Sequence, residues 1–341
     1  MAFTPRQFFY RKPAVVILCL GIILQYSACT SRKASPEQSR KILKAFDYEL
    51  IQIANRFSNT QAFQAIMLAR RLKGVQLPFL STNDTLAETN LETYNLQLAK
   101  GVFHYSSADS LPQKVANSDS LIIVFPSGSK KSDEPFKMII CEFAERQTDL
   151  GMLFPEAFEA VIFKGNQKVG SLKYSAFFKH QMPASVRMNI NAGNFNIELQ
   201  LETIFRKKKS LVEVRFTLLE NDKQLILVKL DTEVVETKTH SLAYDKKHIE
   251  IEVFPLKAII DSDYNFSEGK DTDFFSGFNN KSSISLFDTE DQKLGNVMLE
   301  QTEGRSRVNL MMYYNDGSSE NLEDFLLTVN KILNMKTSMP R

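Results

Sequence analysis

"FNIELQLETIFRKKKSLVEVRFTLLE", residues 195–220, sets the fold class. In its second half, Glu213 and Arg215 alternate with Val212, Val214 and Phe216. A period of two sends alternate side chains to opposite faces of a strand, so the stretch reads as a long antiparallel pair. Arg206–Lys209 would form its solvated hairpin tip. "HIEIEVF" (248–254) repeats the alternation, so one face of the sheet is expected to be wet.

On either side the hairpin pattern recurs. "VIFKGNQKVGSLKY" (161–174), "RFTLLENDKQLILVKL" (215–230) and "SISLFDTEDQKLGNVML" (283–299) each place a polar turn between apolar runs. The first and third share "QKVGSL" (167–172) and "QKLGNV" (292–297), where a glycine follows the first apolar residue after the turn. A bulge or bend in the returning strand is the expectation there. Upstream, residues 102–106, 120–125 and 136–143 are short Val/Ile/Phe-rich runs, and Pro126 should end the second because proline cannot donate to a ladder.

Before residue 75 the period is helical. Ile42, Phe46, Leu50, Ile53 and Phe57 recur at spacings of three and four, "SNT" (58–60) can break and re-cap the chain, and Gly74 suits a C-terminal stop. Two helices folded as an antiparallel hairpin over one sheet face are predicted. At the other end, in "NLEDFLLTVNKILNM" (321–335), Asn321 can cap a helix striped by Leu322, Phe325, Leu326, Val329 and Leu333. The whole reads as α+β: an N-terminal helical hairpin, a large antiparallel sheet of meander or half-barrel kind, and a C-terminal helix. Residues 37–154 and 155–338 are either two units or one continuous domain; the length allows both.

The N-terminus carries a different signal. Arg6, Arg11 and Lys12 precede eleven uncharged residues, Ala14–Leu24, a run too short for the about 20 apolar residues of a membrane span. Small Ser27 and Ala28 then lead into Cys29. "YSAC" (26–29) resembles the lipobox of bacterial lipoproteins, with Tyr26 where that family usually has leucine. The resemblance implies removal of residues 1–28 by cleavage between Ala28 and Cys29, and a diacylglyceryl thioether, usually with an added N-acyl chain, on Cys29. An ordinary secretory cleavage and an uncleaved anchor are the alternatives. Two or more acyl chains hold a protein stably where one does not. Thr30 in place of an aspartate leans toward the outer membrane, and the absence of an acidic export run favours its periplasmic face. Residues 29–36 would be a short flexible tether. The body resembles large uncharacterised envelope lipoproteins.

The leader takes three of the 42 basic residues, so 39 remain against 40 acidic ones and the net charge falls from +2 to −1. Such a balance gives no footprint for nucleic acid. With Cys19 and Cys29 accounted for, Cys141 stands alone in the strand-like "FKMIICEF" (136–143), where a small buried hydrophobe is expected. Tryptophan is absent and phenylalanine, at 26, abundant, which suits a sheet core or an apolar cavity.

Motifs for chemistry are missing. None of His104, His180, His240 and His248 stands within four residues of another or of a motif cysteine, so no zinc spacing exists, and surface or edge positions are expected for them. Asp261, Asp263 and Asn265 match the first three ligand positions of an EF-hand, but Phe266 and Thr272 replace the glycine and the bidentate glutamate. An irregular cation site from Asp261, Asp263, Asp271 and Asp273 competes with a solvated acidic loop. No cofactor is implied. The leading expectation is a lipid-anchored, non-enzymatic envelope protein that binds an apolar or lipid ligand or a protein partner. Two others stand beside it: an envelope hydrolase of glycan or peptide with a site assembled across strands, and a structural or adhesive surface lipoprotein.

Overall fold

The computed structural model describes residues 33–74, 96–107, 110–128, 133–147, 153–179, 182–207, 209–236, 242–264, 274–301 and 308–328. Cys29, with Ala28 and the whole leader, lies outside these residues, as do Val329 and Leu333.

Among the described residues, sixteen strands form one sheet. They are β1 (Gly101–His104), β2 (Gln113–Ala116), β3 (Leu121–Phe125), β4 (Phe136–Gln147), β5 (Leu153–Lys164), β6 (Gln167–Lys179), β7 (Met182–Ala192) and β8 (Phe195–Ile204). After them come β9 (Ser210–Glu220), β10 (Lys223–Glu236), β11 (Leu242–Val253), β12 (Leu256–Ser262), β13 (Ser282–Asp288), β14 (Lys293–Gln301), β15 (Val308–Tyr314) and β16 (Ser319–Asn321). From β3 to β16 each strand pairs with the next in sequence, all antiparallel, and β1 adds to β3 in parallel with β2 outside it. The sheet is open, with β2 and β16 at its edges. β4 pairs with β5 along most of its length, so the sheet passes through residue 154 without a break.

The turns carry the chemistry that tight hairpins need. Asn221 and Asp222 both take positive φ, 49° and 63°, between β9 and β10, as a two-residue connection matched to strand twist requires. Both repeated glycines sit beside bulges. Pairing shifts register between Ile162 and Phe163 opposite β6, and between Leu286 and Phe287 opposite β14, which leaves Val169 and Leu294 as extra residues. Their carbonyls are not orphaned, since the Gly193 N–H donates to Val169 O (3.1 Å) and the Ser39 hydroxyl to Leu294 O (3.1 Å). A Cβ on Gly295 would lie 2.3 Å from Tyr313 O, and one on Gly170 would lie 2.7 Å from the Ala62 methyl. The same sequence detail thus serves two close approaches, one by a strand and one by a helix.

Helix α1 (Pro36–Ser58) starts on Ser35, whose side chain accepts from Gln38 N, and α2 (Gln61–Ala69) starts on Thr60, which accepts from Phe63 N. α2 ends at Ala69, before Gly74. The two helices cover one sheet face as expected, but they do not lie side by side. Leu43 packs with Leu286, Leu294 and Met312 of β13–β15, Ile53 with Phe195, Leu218 and Val253 of β8, β9 and β11, and Ala65 and Ala69 with β3–β6. The pair therefore runs across the strands in one direction, with α2 continuing where α1 stops. An amphipathic stripe fixes which face of a helix is buried, not which way the helix points across a sheet. Two shorter helices, α3 (Leu96–Ala99) and α4 (Phe274–Lys281), complete the described set.

Asn321 caps as predicted, its side chain accepting from Glu323 N, but the turn it starts, Leu322–Asp324, is a 3₁₀ helix. Leu322 and Leu326 are buried against α1 and β13–β15, with Phe325 partly so. Asp47 of α1, itself buried, accepts from Leu327 N and Thr328 N, each at 2.9 Å, and from the Thr328 hydroxyl. Residues 33–36 depart from the expected flexible tether. Lys33 forms a parallel bridge with Lys293, Ala34 is buried and its N–H donates to Lys293 O (3.1 Å), so the described part of residues 29–36 belongs to the body.

Candidate apolar binding site

Where α2 crosses β4–β7 the packing leaves a gap. Ala62, Ala65 and Ala69, spaced three and four apart, are fully buried. Methyl side chains on that stripe, with Gly170 beneath Ala62, let the helix axis approach the sheet closely. Phe63 and Ile66 then lean to one side of the contact. They roof a cavity of about 80 Å³ whose floor is Met138 of β4, Phe158, Ala160 and Ile162 of β5, Leu172 of β6, and Ile190 and Ala192 of β7. Small Ala160 and Ala192 make the room. Phe57 closes the end toward α1, held edge-on by Phe63 and Phe195 with ring centroids 5.5 Å away in both cases. Ser171 and Asn191 are the polar residues at the wall, and no ionisable group lines it. A cavity of this kind stays dry and takes up apolar groups, and an engineered one of about 150 Å³ in another protein admits benzene. Half that size suits the end of an apolar chain.

The sheet continues the apolar floor beyond the helices. Ile190, Ile197, Leu218, Ile226 and Val253 are paired in register, and Leu218 and Val253 are buried with Ile53 of α1. Four residues further along the same strands, a second rank follows: Val186, Leu201, Val214, Leu230, Ile249 and Ile260, again in register and all half-buried. Alternation puts that rank on the helix-bearing face.

The opposite face is wet, as read from the sequence. Lys229 and Lys257 each lie 2.9 Å from Glu250, and their hydrogen bonds, Lys257's first, bring its carboxyl down to about 2. Lys209, at the β8–β9 hairpin tip, pairs with Glu233 (2.8 Å) and Asp245 (2.6 Å).

Cys141 departs from expectation. The ladder between β4 and β5 shifts register between Ile140 and Glu142, and the bulge turns this side chain outward to an exposed position. Its thiol is nevertheless pushed up, first by partial burial and then by the charge of Glu159, which is the wrong direction for a nucleophile. His104 is exposed on β1, while His248 is exposed on β11 with Nδ1 2.7 Å from Asp261. His180 and His240 lie outside the described residues. Asp261 thus faces a histidine, Asp263 is exposed at the end of β12, and Asp271 and Asp273 lie outside the described residues. Among the described residues no three His, Cys, Asp or Glu side chains are grouped to hold a metal.

The phenylalanine content suited a sheet core as well as an apolar cavity, and it named none of the cavity's walls. Only the cross-strand register brings Met138, Ala160 and Ile190 together, and only the course of α2 brings Phe63 over them. The one local signal was the Ala62, Ala65, Ala69 spacing. No protein-family model, curated protein or solved structure matches the chain.

Proposed function

We propose that this chain is a lipid-anchored, non-enzymatic protein of the cell envelope, moored through Cys29 at the outer membrane, that takes up an apolar chain such as an acyl tail. The observation that carries the reading is the cavity between α2 and β4–β7, walled by Phe57, Phe63, Met138, Phe158 and Ile190 without a charged group. Apolar groups entering such a space leave water without leaving any buried donor or acceptor unmet. The half-buried second rank on β7–β12 offers the remainder of a chain an apolar surface. A hydrolase of glycan would instead need two carboxyl groups facing each other about 5 to 9.5 Å apart in a polar cleft. The cavity supplies neither.

The test uses the full-length protein extracted from membranes in mild detergent and challenged with a fluorescent fatty acid. Saturable uptake is expected in the wild type, and loss of uptake in Ala160→Phe, whose ring would occupy the void. Equal uptake by both proteins, with both folded by circular dichroism, overturns the assignment to this cavity. No uptake by either would leave a protein partner as the remaining reading.

A further inference from the structure

The docked N-terminus determines which end of the sheet meets the membrane. Resting on the reading of Cys29 as the lipidated residue, three residues separate it from Lys33, and the four residue-to-residue steps span at most about 14 Å of extended chain. Lys33 bridges to Lys293, the first residue of β14, so the chain leaves the body at the end of the sheet where β13 turns into β14. Because the strands form an antiparallel meander, alternate turns share that edge: residues 165–166, 193–194, 221–222, 254–255 and 316–317 all lie on it. The tips of four of these turns are Gly–Asn, Gly–Asn, Asn–Asp and Asp–Gly. The β11–β12 turn is Phe254–Pro255, and the Phe254 side chain stands 70% exposed. From β12 to β14 is two inter-strand spacings, roughly 10 Å.

We propose that Phe254 inserts into the interfacial layer of the bilayer that holds the Cys29 lipid, so that the protein rests on the membrane by its turn edge. A polar tip would serve a tight turn equally well. An aromatic ring gains only where the edge meets something apolar, and the short tether holds a bilayer within reach. Lys223 and Lys293 share the edge with Asp222, Glu290 and Asp291, so its charge is mixed and contact needs no anionic lipid.

The chain has no tryptophan, so one substitution makes a single reporter. Full-length acylated Phe254→Trp is reconstituted into phosphatidylcholine vesicles, with and without brominated acyl chains. Tyr244→Trp, 49% exposed toward the other end of β11 and about 30 Å away, serves as control. The expected result is blue-shifted emission quenched by brominated lipid at position 254 and neither effect at 244. Vesicle-bound protein whose reporter at 254 is unquenched overturns the orientation while leaving the anchor intact. A blue shift without quenching also overturns it, since the ring then packs on protein. Failure to float with vesicles, with an unacylated Cys29 by mass, overturns the anchor and the orientation together.

Discussion

The seating of α2 on the sheet can be tested at a single contact. A methyl on Gly170 would stand 2.7 Å from the Ala62 Cβ and 3.1 Å from Asn191 O. Two methyl carbons pack at roughly 3.5 to 4 Å, so Gly170→Ala forces helix or strand to move about an ångström, and overpacking of that kind costs about 1–3 kcal/mol. Ala62→Gly alone costs about 1 kcal/mol of helix propensity and about 0.8 kcal/mol of lost methyl burial. In the double variant the methyl–methyl clash vanishes and only the tighter approach to Asn191 O remains. The pair should therefore be more stable than the sum of the singles by about 1–2 kcal/mol. Urea denaturation followed by far-UV circular dichroism measures all four corners of the cycle. Additivity within about 0.5 kcal/mol would refute the placement of α2 over β6.

Four further outcomes are expected. Asp47→Ala removes the acceptor of two backbone N–H groups and one hydroxyl at 327–328 and should cost about 2–4 kcal/mol, with hydrogen exchange accelerated first at the Leu327 and Thr328 amides. Glu250 is held near 2 by Lys257 and Lys229 against an unfolded value of 4.5. Its contribution is thus complete above pH 4.5 and lost as pH falls toward 2, and Glu250→Gln should flatten the stability–pH curve there by on the order of 1 kcal/mol after screening. Because its thiol is raised, Cys141 should alkylate slowly at pH 7 and progressively faster above pH 9, and Cys141→Ser should change stability by less than about 0.5 kcal/mol. Ala160→Phe should abolish fatty-acid uptake while leaving the circular dichroism spectrum unchanged.

Much of this architecture was legible because it is written in local periods. The alternation in 195–220 and 248–254 gave strands and a wet face, the polar turns gave the hairpins, and the stripe from Ile42 to Phe57 gave α1 and its buried side. What escaped depends on partners distant in sequence. Gln113–Ala116 is a strand whose four side chains are all exposed, so no alternation marks it, and β1 alone makes it one. The eight residues of α4, with Gly277 inside, are too few to show a helical period. Cys141 sits in an apolar run that reads as buried, and one bulge reverses its side. The two helices were recognisable, but their passage along the sheet follows from Leu43, Ile53 and Ala65 meeting β13–β15, β8–β11 and β3–β6, contacts between residues far apart in sequence. The cavity is a product of that passage and was invisible for the same reason.

Native mass spectrometry of protein extracted from its own membranes examines the anchor and the cavity in one spectrum. A chain beginning at Cys29 with its acyl modification is expected, carrying in addition a non-covalent apolar adduct that is missing from Ala160→Phe. An unmodified residue 29, or an adduct equally present in both proteins, would contradict the proposed function.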